Sequence, residues 1–201
     1  MRWCAPFLPQ RQNRRAWHLA WRSAGFVAGL AVTLGLSVPG AWARTYLTKA
    51  QALNLAFPDA DRVEARSLFL TEEQVSRVEA RSGATLDGRL FTLYVGKRRG
   101  EAVGYAVIEA APVRTLPQTL LVVLGPDGAV RLVRVLAFFE PEEYRPPKRW
   151  LDQFRGRRLS PGLRLGGEIQ GLTGATLSAQ AVARQVRKAA ALCELLLEER
   201  P

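Results

Sequence analysis

The chain has 201 residues, 29 of them Lys or Arg against 18 Asp or Glu, a formal net charge of +11. Five of those basic residues and none of the acidic ones fall in 1–43, so residues 44–201 carry a formal +6, scattered rather than clustered. Nucleic-acid binding calls for a concentrated basic stripe, so no nucleic-acid partner is expected; attraction to anionic membrane surfaces or acidic redox partners stays open.

The N-terminus carries Arg2, Arg11, Arg14, Arg15 and Arg22, then an apolar run from Ala24 to Val38, a break at Pro39-Gly40, and Ala41-Trp42-Ala43. A basic head, a short apolar segment and an A-x-A exit predict a secretory signal peptide over residues 1–43. The run of about 15 residues is short of the roughly 20 needed to span a bilayer, the alternative being an uncleaved membrane anchor. Arg14-Arg15 fits a twin-arginine signal loosely. With the leader go His18, the single histidine, and Cys4, leaving Cys193. The remainder cannot build a Ser-His-Asp or Cys-His arrangement, a His/Cys zinc site, a c-type haem attachment or an intramolecular disulfide. Redox chemistry there requires a bound organic cofactor.

Thr48-Lys49-Ala50-Gln51 reads as a capping box opening a helix to about Phe57, and Thr71-Glu72-Glu73-Gln74 repeats the signal for a helix to about Arg81. Leu90–Val95 and Val103–Glu109 read as strands joined by a turn at Lys97-Arg98-Arg99-Gly100. Thr119–Leu124 and Ala129–Phe138 form a second such pair around Gly125-Pro126-Asp127-Gly128. Glu140–Pro147 is an acidic, proline-rich loop, and Trp150–Phe154 a short helical turn. From Leu177 onwards Ala179, Val182, Val186, Ala189, Cys193 and Leu196 recur at helical spacing. The expected fold is α+β: an antiparallel sheet of two hairpins packed against a long C-terminal helix, with short helices near the N-terminus, as one domain over 44–201.

Gly171-Leu172-Thr173-Gly174-Ala175-Thr176-Leu177-Ser178 stands just before the last helix. Unpaired N–H groups and the positive helix end favour an anionic oxygen there, typically phosphate. An ordinary Ser/Thr N-cap is the competing reading. A near-copy, Ser82-Gly83-Ala84-Thr85, is followed by a turn into a strand and lacks a helix start. Cys193 lies on the apolar stripe and reads as a buried thiol.

Thr173-Gly174-Ala175-Thr176-Leu177-Ser178 resembles the flavinylation motif of FMN-binding domains, such as those of sodium-translocating quinone reductases and of small exported FMN-binding proteins. Gly104-Tyr105, the Gly-Pro-Asp-Gly hairpin, Glu140 and Phe154-Arg155-Gly156 resemble further features of that family. The resemblance implies that Thr176 is esterified through its hydroxyl to the FMN phosphate by a separate exported flavin transferase using FAD as donor. It implies that Thr173, Gly174 and Ala175 form the loop met by the transferase and the phosphate, with Leu177 and Ser178 completing the cofactor site. The family pattern has Asp three residues before the Ser/Thr, where this chain has Gln170. Tyr105, Tyr144, Trp150 and Phe154 offer flat surfaces for an isoalloxazine ring or fill a core, and Glu140 lines the site or solvates its loop. The implied function is electron transfer by an exported, periplasmic flavoprotein, with redox partner proteins that include membrane-bound ones. A non-flavinylated interaction module of the same fold and a flavin-dependent reductase are the alternatives.

Overall fold

The computed structural model describes residues 44–198; the leader assigned to 1–43 lies outside the described residues. A two-residue strand β1 (Arg44–Thr45) leads into α1 (Lys49–Ala56). Thr48 and Gln51 close its capping box: Thr48 N–H donates to Gln51 Oε1 at 2.9 Å and Gln51 N–H to Thr48 Oγ1 at 3.3 Å. Strand β2 (Arg62–Phe69) follows, then α2 (Glu72–Ser82), started by the same box at Thr71 and Gln74 and stopped by Gly83 at φ 65°.

Strands β3 (Leu90–Arg98) and β4 (Glu101–Pro112) are joined through Arg99 and Gly100, both at positive φ, which matches the primed turn that suits twisted strands. Strands β5 (Pro117–Leu124) and β6 (Val130–Phe138) come next, then a 3-10 turn at Glu142–Tyr144. Helix α3 (Lys148–Leu151) runs into a second 3-10 turn at Asp152–Phe154, and α4 (Thr176–Glu198) ends the described chain.

The strands form one antiparallel sheet in the order β1-β6-β5-β4-β3-β2. The α+β architecture with a long C-terminal helix is therefore present, and the sheet is a continuous meander: β4 also pairs with β5, from Tyr105 opposite Leu124 to Pro112 opposite Pro117. Strand β2 pairs with β3 from Arg62 opposite Lys97 to Phe69 opposite Leu90. Its sequence, RVEARSLF, lacks an apolar run because it is an edge strand with most side chains in water.

Both sheet faces are covered, which explains why β5 reads as an unbroken apolar run. Leu120, Val122 and Leu124 point to the face covered by α4, while Leu121 and Val123 point to the face where Ala52 and Phe57 pack. On that second face a Cβ at Gly96 would overlap the Phe57 ring, so glycine there lets the end of α1 seat on β3. The predicted stripe of α4, from Ala179 to Leu196, is buried along its length and packs with α2, β4 and β5.

Candidate functional site

Thr176 is the first residue of α4, one position ahead of where the apolar periodicity begins. The preceding loop is folded by its own backbone, Ala175 N–H donating to Leu172 O at 3.1 Å and Ala179 N–H to Ala175 O at 3.0 Å. Gly174 holds φ at 80°, while a Cβ there would meet nothing within 4 Å. Backbone conformation, not space, is what calls for glycine. Ala175 and Ser178 are buried; Thr173, Gly174, Thr176 and Leu177 are exposed.

Upstream, the loop is clamped through the main chain of Gln170. Its N–H donates to Gln153 Oε1 at 2.9 Å and its carbonyl accepts from Trp150 Nε1 at 2.9 Å. Trp150 is itself buried edge-on to Phe154, with ring centroids 5.7 Å apart. Gln170 is thus held through main-chain hydrogen bonds that do not depend on its own side chain.

A cleft of about 590 Å³ opens at this end of α4. One wall is Gly174, Ala175, Thr176, Leu177 and Ser178; the others are Val113, Arg114 and Thr115 from the β4–β5 turn, and Glu140, Pro141 and Tyr144 beyond β6. Glu140 braces two of these walls together. Its Oε1 accepts from the N–H groups of Thr115 and Leu116, each at 2.8 Å, and from Thr115 Oγ1 at 3.4 Å. Those backbone donors, Leu116 foremost, hold its carboxyl below the ordinary glutamate value.

The wall carrying Tyr144 is tied to the start of the domain. Tyr46 donates its hydroxyl hydrogen to Glu142 Oε2, Arg145 Nε donates to Glu142 Oε1 at 2.5 Å, and the Arg145 guanidinium lies 4.9 Å over the Tyr46 ring. Burial, then the hydrogen bond to Glu142, pushes the Tyr46 hydroxyl up to about 12.

The structure therefore brings Thr176, Gly174, Ala175, Leu177, Ser178, Glu140 and Tyr144 to one cleft. Thr173 lies on the loop outside the lining. Tyr105 does not reach it: fully buried beneath α4, it is a core residue, because its position on a central strand points it between sheet and helix. Trp150 and Phe154 are likewise buried, and Trp150 acts on the loop through Gln170 rather than lining the cleft. Arg114 and Thr115 carry no sequence signal beyond standing between Pro112 and Pro117, and only the pairing of β4 with β5 places them opposite Thr176.

The near-copy Ser82–Thr85 sits at the C-terminal end of α2, where Gly83 caps the helix and exposed carbonyls disfavour an anion. Gly83, Ala84 and Thr85 line a smaller cleft of about 280 Å³ with Arg184, Gln185 and Lys188. Lys188, nearly buried, pairs with Glu109. Gln118 Nε2 donates to Gln185 Oε1 at 2.9 Å, and Gln185 Nε2 to the Glu109 carbonyl at 3.1 Å. Burial raises the Glu109 carboxyl despite the lysine beside it. Cys193 is buried on α4. Among the described residues no group of three or more His, Cys, Asp or Glu is placed to hold a metal ion, and no helix is long and apolar enough to cross a membrane.

No protein-family model matches the chain, and no curated protein or solved structure matches it either.

Proposed function

We propose that this protein carries FMN covalently on Thr176 and transfers electrons outside the cytoplasm. The observation that carries the reading is the exposed Thr176 on the first turn of α4, lining a cleft of about 590 Å³. Clefts of roughly 300–1,000 Å³ are the usual size for small-molecule sites. The lining fits such a group in parts: helix N–H groups for a phosphate, a glycine without side chain beside it, and the exposed faces of Leu177 and Tyr144 for a flat ring. The flavin, when bound, supplies one- and two-electron chemistry.

In the attachment step Thr176 Oγ bonds to the FMN phosphorus of FAD as the pyrophosphate P–O bond breaks. AMP leaves, and the hydroxyl proton passes to solvent. The resulting diester keeps one negative charge, which the start of α4 favours. An exported flavin transferase is the partner for this step, redox proteins are the partners afterwards, and the leader read over 1–43 supplies the route out of the cytoplasm. A second reading, an interaction module of the same fold without flavin, rests on Gln170 in place of the family's Asp.

Co-production of the protein with an exported flavin transferase, followed by peptide mass spectrometry, tests the choice. One FMN on the peptide containing Thr176, absent in Thr176→Ala, is the expected result. An unmodified peptide, under conditions that flavinylate a related domain, refutes the carrier reading and favours the module.

A further inference from the structure

We propose that Arg114 is the counter-cation of the phosphodiester at the start of α4; this rests on the FMN reading above. Arg114 stands in the turn between β4 and β5, across the cleft from Thr176. Two charged side chains line that cleft, Arg114 and Glu140, and their situations differ. One oxygen of the Glu140 carboxylate, Oε1, is committed to the turn itself, taking the N–H groups of Thr115 and Leu116 and the Thr115 hydroxyl. The Arg114 guanidinium enters none of the ion pairs among the described residues; the same holds for exposed arginines such as Arg66 and Arg149, but Arg114 is the arginine that lines this cleft.

The turn is short and closed, with Val113 N–H donating to Leu116 O at 3.0 Å. Pinned at that hydrogen bond and at Glu140, it fixes the Arg114 backbone at the cleft's rim while leaving the side chain to the cleft. A guanidinium presents a planar fork of donors suited to a pair of phosphate oxygens. The N–H groups of the first turn of α4 act on the same anion from the other wall. A diester formed on Thr176 Oγ is thereby held between a helix end and a long-armed cation, while Glu140 Oε1 serves the turn.

The experiment uses the full chain with and without FMN on Thr176, as wild type, Arg114→Gln and Arg114→Lys, with the adduct verified by peptide mass spectrometry. Thermal midpoints of both forms and the 31P resonance of the diester are the readouts. Arg114→Gln is expected to lower the midpoint of the FMN-bearing form by about 3–6 °C more than that of the FMN-free form. It is also expected to move the 31P resonance, and Arg114→Lys should recover part of both changes. A purely structural role would lower both forms equally. Equal changes, or none in a protein that carries the adduct, overturn the assignment and leave the FMN reading standing. A wild-type chain that takes no FMN on Thr176 overturns both.

Discussion

Replacing Gly174 with alanine isolates the one backbone conformation on which the Thr176 loop depends. At φ 80° an L-residue other than Asn or Asp pays roughly 1–2 kcal/mol. A Cβ at this position meets nothing within 4 Å, so no steric clash adds to that strain. For a domain of this length each kcal/mol lowers the thermal midpoint by about 2–4 °C, which places Gly174→Ala about 2–8 °C below wild type. Gly171 supplies the internal control: a Cβ there also meets nothing within 4 Å, but its φ is not positive. Gly171→Ala should therefore be neutral, or stabilising by up to about 1 kcal/mol through the unfolded state. Gly174→Asn should fall between the two alanine variants, since Asn tolerates the left-handed region. Thermal and urea unfolding followed by circular dichroism, on FMN-free protein at one concentration, rank the three. If Gly174→Ala proves as harmless as Gly171→Ala, the loop does not need this conformation and the argument for its fixed geometry fails.

The Glu140 brace has a pH signature. Its folded carboxyl titrates below the ordinary value, so its contribution is complete above the unfolded glutamate range and is lost as pH falls through the lower folded value. Glu140→Gln should lower stability at neutral pH and leave the acid end nearly unchanged, which flattens the acid limb of a stability–pH curve; an unaltered limb would count against the brace. For the nearly buried Lys188–Glu109 pair, Lys188→Ala should cost about 3–5 kcal/mol in urea unfolding, because the glutamate loses its partner. Replacing both, Lys188→Met with Glu109→Gln, should restore most of that loss, and a double variant as unstable as the single one would contradict it.

What can be read from the sequence divides along physical lines. The capping boxes at Thr48 and Thr71 are local patterns whose donors and acceptors lie within one turn, so their residues announce the helix starts directly. The α4 stripe is legible because one helix face meets a continuous core. Strand β2 leaves no such trace: with an open edge and little of it buried, it needs neither alternation nor an apolar run. The sequence pattern singles out the Thr176 loop and Glu140, but their meeting depends on sheet order. Arg114 is 62 residues from Thr176 and joins it only because β4 and β5 lie under α4. Tyr105 lies in the core and not at the cleft; a glycine-tyrosine pair says nothing about which face of a central strand the ring takes.

The two margins of the sheet have different colloidal consequences. On the β6 side, Tyr46 and Leu47 donate to the Leu136 carbonyl, and Val130 donates its N–H to the Arg157 carbonyl and accepts from the Gly156 N–H, so irregular segments occupy both ends of that strand. On the β2 side, Arg62, Glu64 and Arg66 stand along an unpaired margin, and a neighbouring copy seeking strand-to-strand contact would have to desolvate their charges. That protection thins at the far end, where Phe69 faces Leu90 and both are largely exposed. Self-association in concentrated solution should therefore begin at this apolar corner, and a lysine at position 69 would extend the charged margin to the end of the strand.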